Sequence, residues 1–195
     1  MNEITRMVVV LSLITGCCSA ALTMANSQLA ARIDSQTDLY VRGPALERLF
    51  KVPAEEVLPN KVTITIDGTD IPVFFTRDGD DVSTLAIEAI GKGGYGGDLK
   101  LMFGIDLKKS QQIGMEVVSH SETPGLGARI EEPAFRKQWQ GMSIEPPVAI
   151  TGDGGQIDGI SGATSTSRAA ASGTNEVLML LNTYKEEILK SISEL

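Results

Sequence analysis

The chain has 195 residues, of which 17 are basic and 25 acidic, for a net charge of −8. An acidic chain repels nucleic-acid phosphates, so no nucleic-acid partner is expected. Its hydrophobic content of 42% is ordinary for a globular chain and argues against global disorder.

From Met7 to Ala31 there is no charged residue, and Val8, Val9, Val10, Leu11, Leu13, Ile14, Leu22 and Met24 lie in the run. A bilayer span needs about 20 apolar residues. Residues 1–31 are therefore read as an N-terminal transmembrane anchor in contact with the lipid bilayer. Two other readings compete: Ile14-Thr15-Gly16-Cys17 resembles a lipobox, and Ser19-Ala20-Ala21 resembles a signal cleavage site. The apolar run continues past the cleavage site, the lipobox is the sharper rival, and the uncleaved helix is the favoured reading. Arg6 ahead of the run places the N-terminus inside and the rest of the chain on the extracytoplasmic side. Both cysteines, Cys17 and Cys18, fall in this segment, and His120 is the single histidine. No disulfide framework and no metal site is predicted from that inventory.

Residues 32–60 read as a connector and helical region. Leu39, Leu46, Leu49 and Phe50 form a modest apolar face, Gly43-Pro44 punctuates it, and Pro53 and Pro59 end it. The pattern changes at Lys61, where a domain over 61–195 begins. Val62, Ile64 and Ile66 alternate with Thr63 and Thr65, Asp67-Gly68 turns, and Ile71 to Phe75 supplies the partner strand of a hairpin. Asp78-Gly79-Asp80-Asp81 is a further turn, without the remainder of an EF-hand loop. Val82 to Ile90 is apolar, and its type is not set by its pattern.

Gly91-Lys92-Gly93-Gly94-Tyr95-Gly96-Gly97 implies a tight loop or a backbone approached closely by another group. Leu99 to Ile105 and Ile113 to Val118 read as two more strands. Ser121-Glu122-Thr123-Pro124-Gly125-Leu126-Gly127 then combines a sharp turn with polar and apolar side chains. Such a mix suits the polar edge and flat face of a flavin; an ordinary Pro-Gly turn is the alternative. Glu131 to Met142 reads as a short helix with Phe135 and Trp139 on one face, Trp139 being assigned to the core. Pro146-Pro147 breaks the chain, and Val148 to Ile150 reads as a short strand.

The last stretch is Asp158-Gly159-Ile160-Ser161-Gly162-Ala163-Thr164-Ser165-Thr166-Ser167. A helix follows, with Val177, Leu181, Tyr184, Ile188 and Ile192 on one face. Ser165, Thr166 and Ser167 are N-cap candidates. Glycines, hydroxyls and a helix N-terminus together suit an anion; a capped turn is the alternative. No Lys stands at Walker spacing after the glycines.

Asp158, Ser161, Gly162, Ala163 and Thr164 together resemble the flavinylation motif of the FMN-binding domain family. The glycine-rich run, the Glu-Thr-Pro-Gly-Leu-Gly stretch and this motif follow one another in the order that family uses. With an N-terminal anchor, the chain is similar to the G subunits of the Rnf electron-transport complexes, and to the C subunits of the sodium-pumping NADH:quinone reductases. The resemblance implies one covalent FMN on Thr164 through a phosphoester, attached by a flavin transferase that recognises Asp158. It implies cofactor contacts from Ser161, Gly162, Ala163, Glu122, Thr123, Leu126 and Gly127. It further implies an electron-carrier subunit working with other membrane and peripheral subunits of an Rnf-type complex. That complex couples electron transfer between ferredoxin and NAD to Na+ or H+ translocation. No residue of this chain is expected to be catalytic by itself. The alternative is a periplasmic FMN-bearing carrier outside such a complex. The expected fold is α+β: an antiparallel or mixed sheet packed by helices, preceded by one transmembrane helix.

Overall fold

The structure is a computed structural model that describes residues 2–66, 68–79, 81–145 and 147–194. Asp67, Asp80 and Pro146, each of which the sequence puts in a turn or break, lie outside the described residues. The chain divides into two compact units, Met1–Asp38 and Leu39–Leu195.

The first unit is built on one helix, α1 (Glu3–Thr37). It is long and apolar enough to cross a membrane. Leu11, Leu13 and Leu22 are exposed along it. Hydrocarbon is a better solvent than water for such a surface, and a helix satisfies its own backbone polar groups there.

In the second unit, α2 (Gly43–Phe50) carries Pro44 in its first turn. Proline is tolerated there because the first N–H groups of a helix have no intrahelical partner. A π-helical turn at Asp38–Arg42 leads directly into α2, so Gly43-Pro44 lies within a helical run and does not break it. The helix stops where Lys51 turns left-handed at φ 59°, and a short α3 (Ala54–Val57) follows.

Five strands then form a meander: β1 (Lys61–Ile66), β2 (Thr69–Asp78), β3 (Asp81–Gly94), β4 (Gly97–Asp106) and β5 (Gln111–Ser119). Each pairs antiparallel with the next, in the order β1-β2-β3-β4-β5. The stretch Val82 to Ile90 is the middle of β3. It shows no alternation because Leu85, Ala86 and Ile87 are all buried, so both faces of the central strand are covered. Much of the glycine-rich run is strand rather than loop, since β3 reaches Gly94 and pairs with Gly97.

One face of the sheet packs the main core against the last helix, α5 (Thr164–Ser193). Val177, Leu181, Ile188 and Ile192 of α5 are buried as the spacing predicts, and Tyr184 is partly buried. Nearer its N-terminus the helix lies almost directly on β3. A Cβ at Gly173 would stand 3.2 Å from the Gly91 Cα, so α5 and β3 meet backbone to backbone. The other face holds a smaller core of Ala45, Leu46, Leu49 and Val57 against Phe74, Ala86 and Met102. A buried leucine or phenylalanine there contributes about 1.5–3 kcal/mol.

The helix expected over Glu131–Met142 is broken. It appears as a 3-10 turn at Gly127–Glu131, α4 (Pro133–Arg136) and a 3-10 turn at Lys137–Trp139. Phe135 and Trp139 still share a face, with ring centroids 5.2 Å apart. Trp139 is buried in the core and donates its indole N–H to Thr174 Oγ1 of α5 at 2.8 Å. Val148 to Ile150 contributes a single bridge, Ile150 to Ile157, rather than a strand.

Candidate functional site

Thr164 is the first residue of α5, and its side chain is exposed. The loop before it is a tight turn in which Ala163 N–H donates to the Ile160 carbonyl at 2.9 Å. Gly162, third in that turn, has φ 80°. These are the features of a type II turn, in which the third position favours glycine. Ser161 is exposed at its second position, and Ala163 is buried behind it.

Ser165, Thr166 and Ser167 do not cap α5. Ala163 is the N-cap, and no side chain among the described residues caps the helix. The three hydroxyl residues lie inside the first turn instead. Ser167 Oγ accepts from Ile160 N–H at 2.9 Å and donates to the Ala163 carbonyl at 3.0 Å, which fastens the turn to the helix. The leading amides of α5 and its dipole thus meet the surface beside the Thr164 hydroxyl, an arrangement that suits a phosphate.

Glu122 holds this turn to the rest of the site. The residue is only 6% exposed. Oε2 accepts from Thr166 Oγ1 at 2.9 Å, and Oε1 accepts from Gly96 N–H at 3.1 Å. The glutamate therefore joins three segments: the β3–β4 hairpin, its own loop and the first turn of α5. Gly127 is shaped to it, because a Cβ there would run into Glu122 Oε2 and Thr166 Oγ1. His120 supports the same loop. Its Nδ1 accepts from Glu122 N–H at 3.0 Å, so the proton sits on Nε2, 3.3 Å from Glu131 Oε1.

The remaining predicted residues fall around this bracket. Thr123 is exposed, and its carbonyl accepts from Leu126 N–H at 3.1 Å and Ala128 N–H at 3.2 Å. Leu126 is 48% exposed, and its Cδ2 lies 3.4 Å from where a Gly162 Cβ would be. The Glu-Thr-Pro-Gly-Leu-Gly loop thus touches the Thr164 loop directly. Asp158 is exposed six residues before Thr164, and its backbone is gripped by Gln138. Asp158 N–H donates to Gln138 Oε1 at 2.6 Å, and Gln138 Nε2 donates to the Asp158 carbonyl at 3.2 Å. A cleft of about 420 Å³ adjoins them, lined by Arg129, Gln138, Asp158 and Ser161 among others.

Gln138, Gly96 and Thr166 have positioning roles that the sequence did not single out. Gln138 has no local signature, since its partner is 20 residues away. Arg168 is a further case. It stands one turn after Thr164, and long helical side chains lean toward the N-terminus. It pairs with Asp153 through two hydrogen bonds of 2.7 Å. Hydrogen bonding from Arg168 holds the Asp153 carboxyl below its usual range, and the guanidinium is raised in turn.

Residues 94–179 match the FMN-binding domain family. The chain carries an FMN-binding domain. The match runs from the β3–β4 hairpin to the middle of α5 and so contains the whole bracket. The G subunit of the ion-translocating oxidoreductase complex of Shewanella piezotolerans is 29% identical over 191 residues, covering 89% of this chain and 87% of that one. Its counterpart in Haemophilus influenzae is 34% identical over 128 residues, covering 62% and 60%. Among solved structures, the C subunit of the Na+-translocating NADH-quinone reductase of Parabacteroides distasonis has the same fold. Its TM-score is 0.54 at 22% identity, over 82% of this chain and 92% of that one. The FMN-binding domain here is therefore an antiparallel five-stranded sheet with packed helices, in a chain whose relatives are subunits of a redox complex.

Proposed function

We propose that this chain is a membrane-anchored electron-carrier subunit with one FMN joined covalently to Thr164. In this reading residues 1–31 are the anchor, 32–60 a connector and helical region, and 61–195 the flavin-bearing domain on the extracytoplasmic side. The host complex couples electron transfer between ferredoxin and NAD to translocation of Na+ or H+, and its other membrane and peripheral subunits are the partners. The observation that carries the proposal is the exposed Thr164 hydroxyl at the uncapped start of α5, with Asp158 and Ser161 exposed beside it.

The residues present fit the phosphate end of FMN. The amides at the start of α5 favour a negative charge, and the turn at Gly162 leaves space above them. Ser161 offers a further hydroxyl, while Gly162 and Ala163 bring backbone rather than bulk to the attachment point. Leu126 offers an apolar contact and Thr123 a polar one. Glu122 and Gly127 act behind them, fixing the loops. Asp158, held by Gln138, presents its carboxylate to the flavin transferase. FMN supplies reversible electron transfer. A covalent tether keeps it from diffusing away outside the cytoplasm.

The test is an intact mass of the protein from host membranes, followed by peptide mapping. A mass gain equal to FMN less water, on the peptide containing Thr164, supports the proposal. An unmodified Thr164 from cells with an active flavin transferase removes the covalent mechanism.

A further inference from the structure

The exposed apolar side chains of the second unit include Tyr95 (81%) and Leu126 (48%). Both stand on loops held by the Glu122 carboxylate. Leu126 immediately precedes Gly127, which packs on that carboxylate. Tyr95 immediately precedes Gly96, whose N–H donates to it. The third segment on the same carboxylate is the first turn of α5, two residues after Thr164.

The position of Tyr95 is rigid. Gly94 pairs with Gly97 across the hairpin, so Tyr95 and Gly96 are the two residues of its turn. Gly96 is pressed against the Ser121 carbonyl with no room for a Cβ, and a Cβ on Gly94 would meet Glu122 Oε1. The backbone on either side of Tyr95 is thus fitted to the Glu122 loop, while the phenol ring itself is left to solvent. An aromatic ring that stabilises no core, on a turn fixed by close packing, is placed for a contact from outside.

We propose that Tyr95 is an aromatic wall of the flavin site, contacting the isoalloxazine of the FMN borne by Thr164. This rests on the covalent-FMN reading above. An isoalloxazine is flat and largely apolar, and an offset or edge-on tyrosine suits it as an aromatic neighbour. Leu126 supplies the aliphatic counterpart. The hairpin is then part of the cofactor site and not merely a turn.

The test uses the full-length flavinylated protein in detergent, comparing wild type with Tyr95→Phe and Tyr95→Ala. A phenol touching a flavin quenches its emission by passing an electron to the excited ring and recovering it on recombination. Tyr95→Ala is expected to raise flavin emission several-fold and to change the visible circular dichroism of the flavin. Tyr95→Phe keeps the contact without the easily oxidised phenol, so emission rises while the circular dichroism is retained. Tyr40→Phe, an exposed tyrosine elsewhere in the chain, leaves both signals unchanged. If Tyr95→Ala matches wild type in both signals, the wall assignment is overturned. That outcome is distinct from failure of the underlying reading, in which wild-type protein carries no covalent flavin.

Discussion

Glu122 and Glu116 are both buried carboxylates, and the regions around them are built on different principles. Glu122 is held by neutral donors, a threonine hydroxyl and a backbone amide. Glu116, on β5, is held by two guanidinium groups, Arg48 of α2 at 2.6 Å and Arg136 of α4. Neutral donors compensate a buried charge only when they are close and well aimed, so the Glu122 region depends on fit. Cations on long side chains reach their partner from a distance, so the Glu116 region depends on charge. The Thr164 side of the domain is a close-packed bracket with glycines at its contacts. The α2 side is a clasp that fastens two helices to an edge strand.

This contrast can be broken or sharpened by substitution. The largest effect belongs to Thr164→Ala. Covalent flavin should be lost completely by mass, with stability within about 0.5 kcal/mol of wild type, because the side chain is exposed. Next is Glu122→Ala, which leaves the Thr166 hydroxyl and Gly96 N–H without their acceptor. Its expected cost is about 2–4 kcal/mol in urea denaturation, together with slower flavin loading. Glu122→Gln should lose much less, since a carboxamide can accept from Gly96 and donate to Thr166. Equal losses in the two variants would mean that charge, not fit, matters at this position.

Glu116→Ala is expected to cost about 1–2 kcal/mol and to leave flavin loading unchanged. Arg48 is 47% and Arg136 16% exposed, so the value falls between those for surface and buried pairs. Reduced loading in this variant would show that the two regions are coupled. The smallest effect is at Asp153, whose carboxyl is held below its usual range by Arg168. A depressed carboxyl contributes stability above its unfolded pKa, near 4, and loses it as pH falls through the folded value. Asp153→Asn should therefore lower the urea midpoint at pH 7, and the difference from wild type should shrink on acidification. A difference that persists undiminished at low pH would contradict this assignment.

Much of the fold was legible in order of locality. Strand β1 shows its period-two pattern within its own few residues, and the buried face of α5 shows its period of three and four. The central strand β3 did not, because burial on both faces erases alternation. The docking of α2 on the sheet was not legible either, since Arg48 finds Glu116 68 residues away. At the candidate site, the Thr164 loop is written in adjacent residues, so its tight turn before α5 could be read locally. Glu122 was expected as a cofactor contact, while its hydrogen bonds in the structure go to partners 26 and 44 residues distant. Ser165, Thr166 and Ser167 looked like caps, and in the structure Thr166 bonds Glu122 while Ser167 bonds the preceding turn.

The contact between Gly173 and Gly91 bears on motion. With no side chain between them, α5 and β3 have little freedom to slide or tilt, because any shift drives backbone into backbone. Thr164 is the leading residue of that helix, so a group attached to it swings from a stationary pivot. The reach of such a group is then limited by its own linker and not by flexing of the domain.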